Sequence, residues 1–213
     1  MQIRVDKGLW FLLLLLAFAA CNSGPGSLPI LNKRVAVEGE MKPKRIPDFA
    51  FVNQDSSLVT PSTFEGKAYV TDFFFTSCPT ICPVMTQNML RIYQEYEDDG
   101  RLLLLSHTID PERDTVGKLR HYAANIGVSS EKWHFVTGEK DSIYAIADDY
   151  FNIVVEDPTL PGGFDHSGRL VLIDPDGHIR SYCNGTDLKD VNRFINDIQR
   201  LLDEMESSQP ADR

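Results

Sequence analysis

The 213-residue chain is short of positive charge: 21 Lys and Arg stand against 31 Asp and Glu, a formal net charge of −10. A nucleic-acid partner needs a basic stripe to meet its phosphates, so that class of partner is excluded. No block of like charge interrupts the chain, and the acidic balance serves solubility. Also missing is a run of the roughly 20 apolar residues that a membrane-spanning helix requires. The longest such stretch, "LWFLLLLLAFAA", is only 12 residues, 9–20. Internal repeats are absent, which excludes solenoids and propellers. Cysteine is scarce, at four residues, too few for a disulfide scaffold in a chain large enough to bury its own core.

What is present at the start is an export signal. Arg4 and Lys7 precede the apolar run, which ends in small residues and Cys21. "AFAAC" resembles a bacterial lipobox, in which the cysteine after the cleavage point is lipidated, although Phe18 is not the commonest residue at its place. The reading is a signal peptide with lipobox over 1–21 and a flexible tether over 22–46, rich in Gly, Pro and isolated charges. One folded domain over 47–205 and a disordered tail over 206–213 complete the chain. The protein is then expected in the bacterial cell envelope, lipid-anchored through Cys21, with its domain facing the periplasm.

Export changes the meaning of the remaining cysteines, because thiols outside the cytoplasm tend to be oxidised unless something reduces or binds them. With Cys21 spent on lipid, Cys78, Cys82 and Cys183 remain. An odd number cannot form a complete disulfide framework. Cys183 lies in a predicted strand and reads as a small buried residue.

Strands and helices alternate along the domain. "DFAFVN" and "KAYVTDFFFT" read as strands, and 83–99 has helical spacing with Met85, Met89, Ile92, Tyr93 and Tyr96 on one face. "RLLLLSHTI" is a continuous apolar run, as a strand covered on both faces requires. A helix over 114–128, a short strand "WHFVTG" and a helix over 139–151 follow. "GRLVLIDPDGHIRSYCNG" is a hairpin about a Pro-Asp-Gly turn. The helix over 187–205 closes the chain with Leu188, Val191, Ile195, Ile198, Leu202 and Met205 at core spacing. This order gives an α/β thioredoxin-like fold: a central mixed sheet flanked by helices, with extra N-terminal strands and an inserted helix-strand element.

The chemistry concentrates in "TSCPTICPVM", 76–85, where a buried strand turns into a helix, the end of an open α/β sheet that carries sites. Each cysteine precedes a proline, which disfavours helical geometry. Pro83 suits the first helical position, so Cys82 is expected as the cap residue. Helix-terminal amides there favour the thiolate. Three residues separate the sulfurs, where the familiar dithiol redox pair has two. The wider bite suits two thiolates on one soft ion, and a disulfide across so short a loop would remove little entropy from the unfolded chain. Thiolates with an added imidazole select copper or zinc. Of the five histidines, His121, His134 and His178 read as structural or solvated. His107, at the end of the neighbouring strand, is one candidate third ligand. His166, after the flexible "PTLPGGFD", is the stronger one.

The segments "FFFTSCPTICPVM", "IDPERDT" and "DHSGRLVLIDPDG" together resemble the Sco/SenC family, copper-binding assembly proteins of cytochrome oxidase, over about 46–202. The resemblance implies a copper ion held by Cys78, Cys82 and His166, and delivery to the dinuclear CuA centre of an oxidase subunit. Thr80 stands where many members have an acidic residue, so redox tuning does not carry over. Asp72 reads as a solvated or hydrogen-bonded strand residue, and Asp110 and Arg113 as a structural pair.

Two functions follow. One is a metallochaperone, not an enzyme, whose partners are a membrane, through the anchor, and a copper-binding oxidase subunit. The other is a thiol-disulfide reductase in which Cys78 and Cys82 keep a partner's copper-binding cysteines reduced. A peroxidase fits poorly, since it needs one strongly acidic cysteine with a separate resolving partner.

Overall fold

The computed structural model describes residues 26–208; the signal peptide, Cys21, residues 22–25 of the expected tether and residues 209–213 of the expected tail lie outside them. The core is one seven-stranded mixed sheet. Its centre is β5 (Ala68–Phe74), β6 (Leu102–Thr108) and β7 (Trp133–Thr137), all parallel. Every residue of β5 and β6 is buried, which is why these strands read as continuous apolar runs and not as alternating ones. β3 (Phe51–Asn53) and β4 (Leu58–Val59) extend one edge, and the hairpin β10 (Arg169–Ile173) and β11 (Ile179–Asn184) extends the other, all antiparallel. The strands lie in the order β11-β10-β5-β6-β7-β3-β4, the thioredoxin-like arrangement expected from the sequence.

Helices cover both faces. Helices α1 (Cys82–Glu95), α2 (Val116–Ile126) and α4 (Leu188–Ser208) share one of them. Tyr96 of α1 donates to the carbonyl of Ile195 on α4 at 3.2 Å, and the hydroxyls of Thr86 on α1 and Tyr122 on α2 meet at 2.9 Å. Tyr122 packs on Phe74 of the sheet, and Tyr93 of α1 on Trp133. Helix α3 (Lys140–Asp149) closes the other face, where Tyr150 at its end lies against Phe73 and His107. Side chains alternate across a strand, so Asp72 and Phe74 point to the α1 face, and Thr71 and Phe73 to the α3 face.

Residues 26–46 differ from the flexible tether expected there. Leu28 is 5% exposed, and the Leu31 amide donates to Ile179 of β11 at 2.9 Å. Strands β1 (Arg34–Val37) and β2 (Glu40–Pro43) pair as a hairpin, turning at Glu38 and Gly39 with φ of 52° and 83°. The Ile46 amide then donates to Gly177 in the β10–β11 turn at 2.9 Å. These few apolar residues dock one by one along an existing edge, so they carry no period that a sequence window detects. At the other terminus α4 continues through Ser208, three residues into the expected tail.

Candidate metal centre

β5 delivers the chain to the site at Phe75. The Cys78 amide then donates to the Phe75 carbonyl at 3.2 Å, turning the loop so that the segment 76–81 runs into α1. The cap of α1 is Ile81, and Cys82 is its first helical residue, a correction to the expected cap at Cys82. The amides of Val84 and Met85 both bond to the Ile81 carbonyl, at 3.1 and 3.0 Å. The first turn needs no amide from Pro83 and has no preceding turn to clash with its ring, so these bonds outweigh the pre-proline preference at Cys82.

His166 arrives from a part of the chain that reads as a loop and is a small hairpin. β8 (Val154–Glu156) and β9 (Phe164–His166) pair antiparallel, with Val154 opposite His166. The hairpin is tied down at its base by Ser167, whose hydroxyl donates to Asn152 at 2.8 Å and accepts from the Ile153 amide at 3.0 Å. Phe164 packs on Phe75 with ring centroids 5.0 Å apart, and Phe75 meets the His166 ring edge-on at 5.9 Å. A phenylalanine from the cysteine strand thus sets the position of the imidazole.

The three side chains converge. Cys78 Sγ, Cys82 Sγ and a ring nitrogen of His166 all lie within 4.8 Å of one another. Cys82 Sγ lies 3.5 Å from His166 Nε2. The residues are 9%, 3% and 8% exposed, and no disulfide joins the two cysteines. The buried Nδ1 of His166 has no hydrogen-bond partner among the described residues. Two soft sulfurs and an imidazole at this separation fit a copper or zinc ion, and the mutual contact of their unbridged ligand atoms is what a shared ion would satisfy.

The sulfurs are not equivalent. The contact between the two cysteines holds the Cys78 thiol well below its ordinary range, and the hydroxyl of Thr80, 3.6 Å from Cys78 Sγ, adds to the effect. The same contact with Cys78, followed by burial, pushes the Cys82 thiol up. Ionisation is therefore favoured at Cys78 over Cys82.

Beneath the site Asp72 is 2% exposed and accepts from Ser106 at 2.5 Å. Burial raises its pKa to about 6, against the lowering effects of Ser106 and His166. It is thus the hydrogen-bonded strand residue of the sequence reading, on the sheet face that α1 covers.

His107 is no ligand. Its register partner is Phe73, so its ring points to the α3 face, away from α1 and the cysteines. It is fully buried, stacked on Phe73 at 4.8 Å, with Nδ1 3.2 Å from the Thr71 hydroxyl, and burial lowers its pKa to about 3. His121 is exposed, His134 meets Asn53 at 3.2 Å, and His178 is buried in the β10–β11 turn. Cys183 is buried with no exposure, as expected. Asp110 pairs with Arg113 at 3.1 Å. Two features had no clear local sequence signal: the role of Phe75, and the carboxylate of Asp114, which reaches the cysteine loop from "IDPERDT".

A family model described as SCO1/SenC matches residues 38–203. The SCO1 protein homolog of Bacillus subtilis (strain 168) is 30% identical over 199 residues, which cover 92% of this chain and 97% of that protein. The solved structure of BsSco, a member of the Sco family of cytochrome c oxidase assembly proteins in which a disulfide switch was identified, superposes with a TM-score of 0.68 at 27% identity, over 83% of this chain and 98% of the other. A SCO1/SenC family lipoprotein from Bacillus anthracis str. Ames superposes with a TM-score of 0.67 at 26% identity, over 74% and 95% of the two chains.

Proposed function

The chain belongs to the SCO1/SenC family, and from that premise we propose that it is a copper metallochaperone: it takes a copper ion through Cys78, Cys82 and His166 and delivers it to the CuA centre during cytochrome c oxidase assembly. The observation that carries this reading is the convergence of two thiol sulfurs and an imidazole within 4.8 Å, from segments 84 residues apart in sequence. Sulfur donors favour copper(I), and the imidazole extends the site to copper or zinc. Three donors leave one side of the ion open, so an incoming thiolate or imidazole of the acceptor can bind before the donor's ligands let go. Proton movements follow the asymmetry of the pair. Cys78 presents a thiolate to the incoming ion, while Cys82 gives up its proton on binding and regains it on release.

The acceptor is a copper-binding oxidase subunit, and the cargo is presented from a membrane anchor. Cys21 is the proposed lipidation site, in keeping with its lipobox-like context and with the related B. anthracis lipoprotein. The domain then faces the periplasm of a bacterial envelope.

The unequal thiols also favour a second reading, a thiol-disulfide reductase. Cys78 thiolate would attack one sulfur of a partner's disulfide, and Cys82 would resolve the mixed disulfide. The partner leaves with two thiols, and Cys78 and Cys82 are left as a disulfide. Oxidase assembly in cells carrying His166→Ala separates the two. The chaperone reading expects loss of assembly equal to that of Cys78→Ser or Cys82→Ser. Assembly that survives the histidine change and fails only with the cysteine changes would establish the reductase.

A further inference from the structure

Asp114 has no exposure and no place among the metal-binding side chains, yet it is the most heavily bonded carboxylate near them. Its Oδ2 accepts from the Thr76 amide at 2.9 Å and from the Thr108 hydroxyl at 2.7 Å. Its Oδ1 accepts from the Thr76 hydroxyl at 2.5 Å and pairs with Lys118 at 3.3 Å. Thr76 is the first residue after β5 and Phe75, two before Cys78, and both of its donors, amide and hydroxyl, end on this one side chain. The other end of the clamp is equally fixed. The Asp114 amide donates to the Asp110 carbonyl at 2.8 Å, and the Asp110 amide donates to Thr108 at 3.1 Å, so the turn between β6 and α2 is a closed unit.

We propose that Asp114 is a positioning residue for copper binding, which fixes the start of the cysteine loop through Thr76 and so sets where Cys78 Sγ stands relative to Cys82 and His166. This deepens, and for its copper arm rests on, the metallochaperone reading. The physical basis is that a buried carboxylate with every strong acceptor position filled holds its donors in one geometry, whereas loop 76–81 has few backbone bonds of its own to do so. Groups that orient a metal ligand without touching the metal typically change affinity by ~10–100-fold when removed.

The test separates positioning from a general contribution to folding by removing two hydroxyls that bond to the same carboxylate. Thr76→Val removes one of the two bonds that tie the cysteine loop to Asp114 and leaves the amide bond, while Thr108→Val removes a bond that stays within the β6–α2 turn. Both are made in the full chain, with copper(I) affinity measured by chelator competition and the alkylation rate of Cys78 measured on metal-free protein. Thr76→Val is expected to weaken copper binding by ~10–100-fold and to change the Cys78 alkylation rate several-fold, while Thr108→Val leaves both within about twofold at a similar loss in melting temperature. Asp114→Ala is expected to match or exceed Thr76→Val. Asp114→Asn is expected to restore most of the wild-type behaviour, since its carbonyl can take the two donors at Oδ2 and its amide can donate to the Thr76 hydroxyl. Equal effects of the two threonine changes on copper and thiol reactivity, or no effect of either, would overturn the proposal. If Asp114→Ala does not fold, the threonine pair decides. Failure of the wild-type chain to bind copper would remove the chaperone reading, while the alkylation contrast would still decide the clamp.

Discussion

His166 Nε2 lies 3.5 Å from Cys82 Sγ, where the hairpin that carries the imidazole meets the helix that carries the second thiol. The two residues meet because Phe75, the first residue after β5, packs against both Phe164 and the imidazole. Strand, helix and hairpin therefore close on one point, and the behaviour of that point is open to measurement.

The two thiols are expected to react in a fixed order. On the metal-free protein near pH 7, iodoacetamide should alkylate Cys78 roughly tenfold or more faster than Cys82, because ionisation is favoured at Cys78 and disfavoured at Cys82, and Cys78 is the more exposed. Thr80→Asp places a like charge beside Cys78 Sγ and should slow that reaction at pH below neutrality. Peptide mass mapping against time reads both; faster labelling of Cys82 would contradict the assignment.

Gly162 has φ of +91°, and a Cβ placed there would stand 2.8 Å from Cζ of Phe75. Gly162→Ala should therefore cost about 1–2 kcal/mol from the left-handed backbone alone. It should also displace the ring that positions His166, lowering copper affinity by roughly tenfold, as a lost orienting contact does. Chelator competition and thermal melting on the same sample check both effects. Wild-type affinity in the variant would mean that Phe75 does not govern the imidazole.

Asp72 and His107 make opposite contributions to the pH dependence of stability. The folded pKa of Asp72, raised by burial to about 6, means the native state keeps a proton that the unfolded chain loses above its ordinary value of 3.8, so stability falls as pH rises between these values. The folded pKa of His107, lowered by burial to about 3, means the unfolded chain binds a proton below 6.5 that the native state refuses, so stability falls as pH drops through that range. Between pH 4 and 6 the two offset each other. Relative to wild type, metal-free Asp72→Asn should gain about 1.4 kcal/mol per pH unit on raising pH through this window, and His107→Gln should lose about as much. Urea unfolding at stepped pH measures both slopes, and slopes of the same sign would refute the account.

Much of this was readable in the residues. The core strands announced themselves as apolar runs because both of their faces are covered, and α4 as a stripe because only one of its faces is. Cys78 and Cys82 stood out through their prolines and spacing, and His166 through the motif around it. What escaped was anything set by register or by isolated contacts. The direction of His107 depends on its pairing with Phe73, which no local pattern reveals. Leu28 and Leu31 dock singly against an edge. The three-residue strand β9 is stabilised by Phe75 and Ser167, from outside its own sequence, and reads as loop without them.

The central claim is that Cys78, Cys82 and His166 together hold copper. Titration of the metal-free full chain with copper(II) and copper(I), followed by ultraviolet-visible and electron paramagnetic resonance spectroscopy, tests it most directly. The account predicts one copper per chain, thiolate-to-copper(II) charge-transfer bands that vanish in Cys78→Ser and Cys82→Ser, and ~10–100-fold weaker binding with an altered spectrum in His166→Ala, at least the loss that follows removal of a ligand-orienting group. Absence of charge-transfer bands in the wild-type chain, or binding by His166→Ala with an unchanged spectrum and affinity, would contradict it.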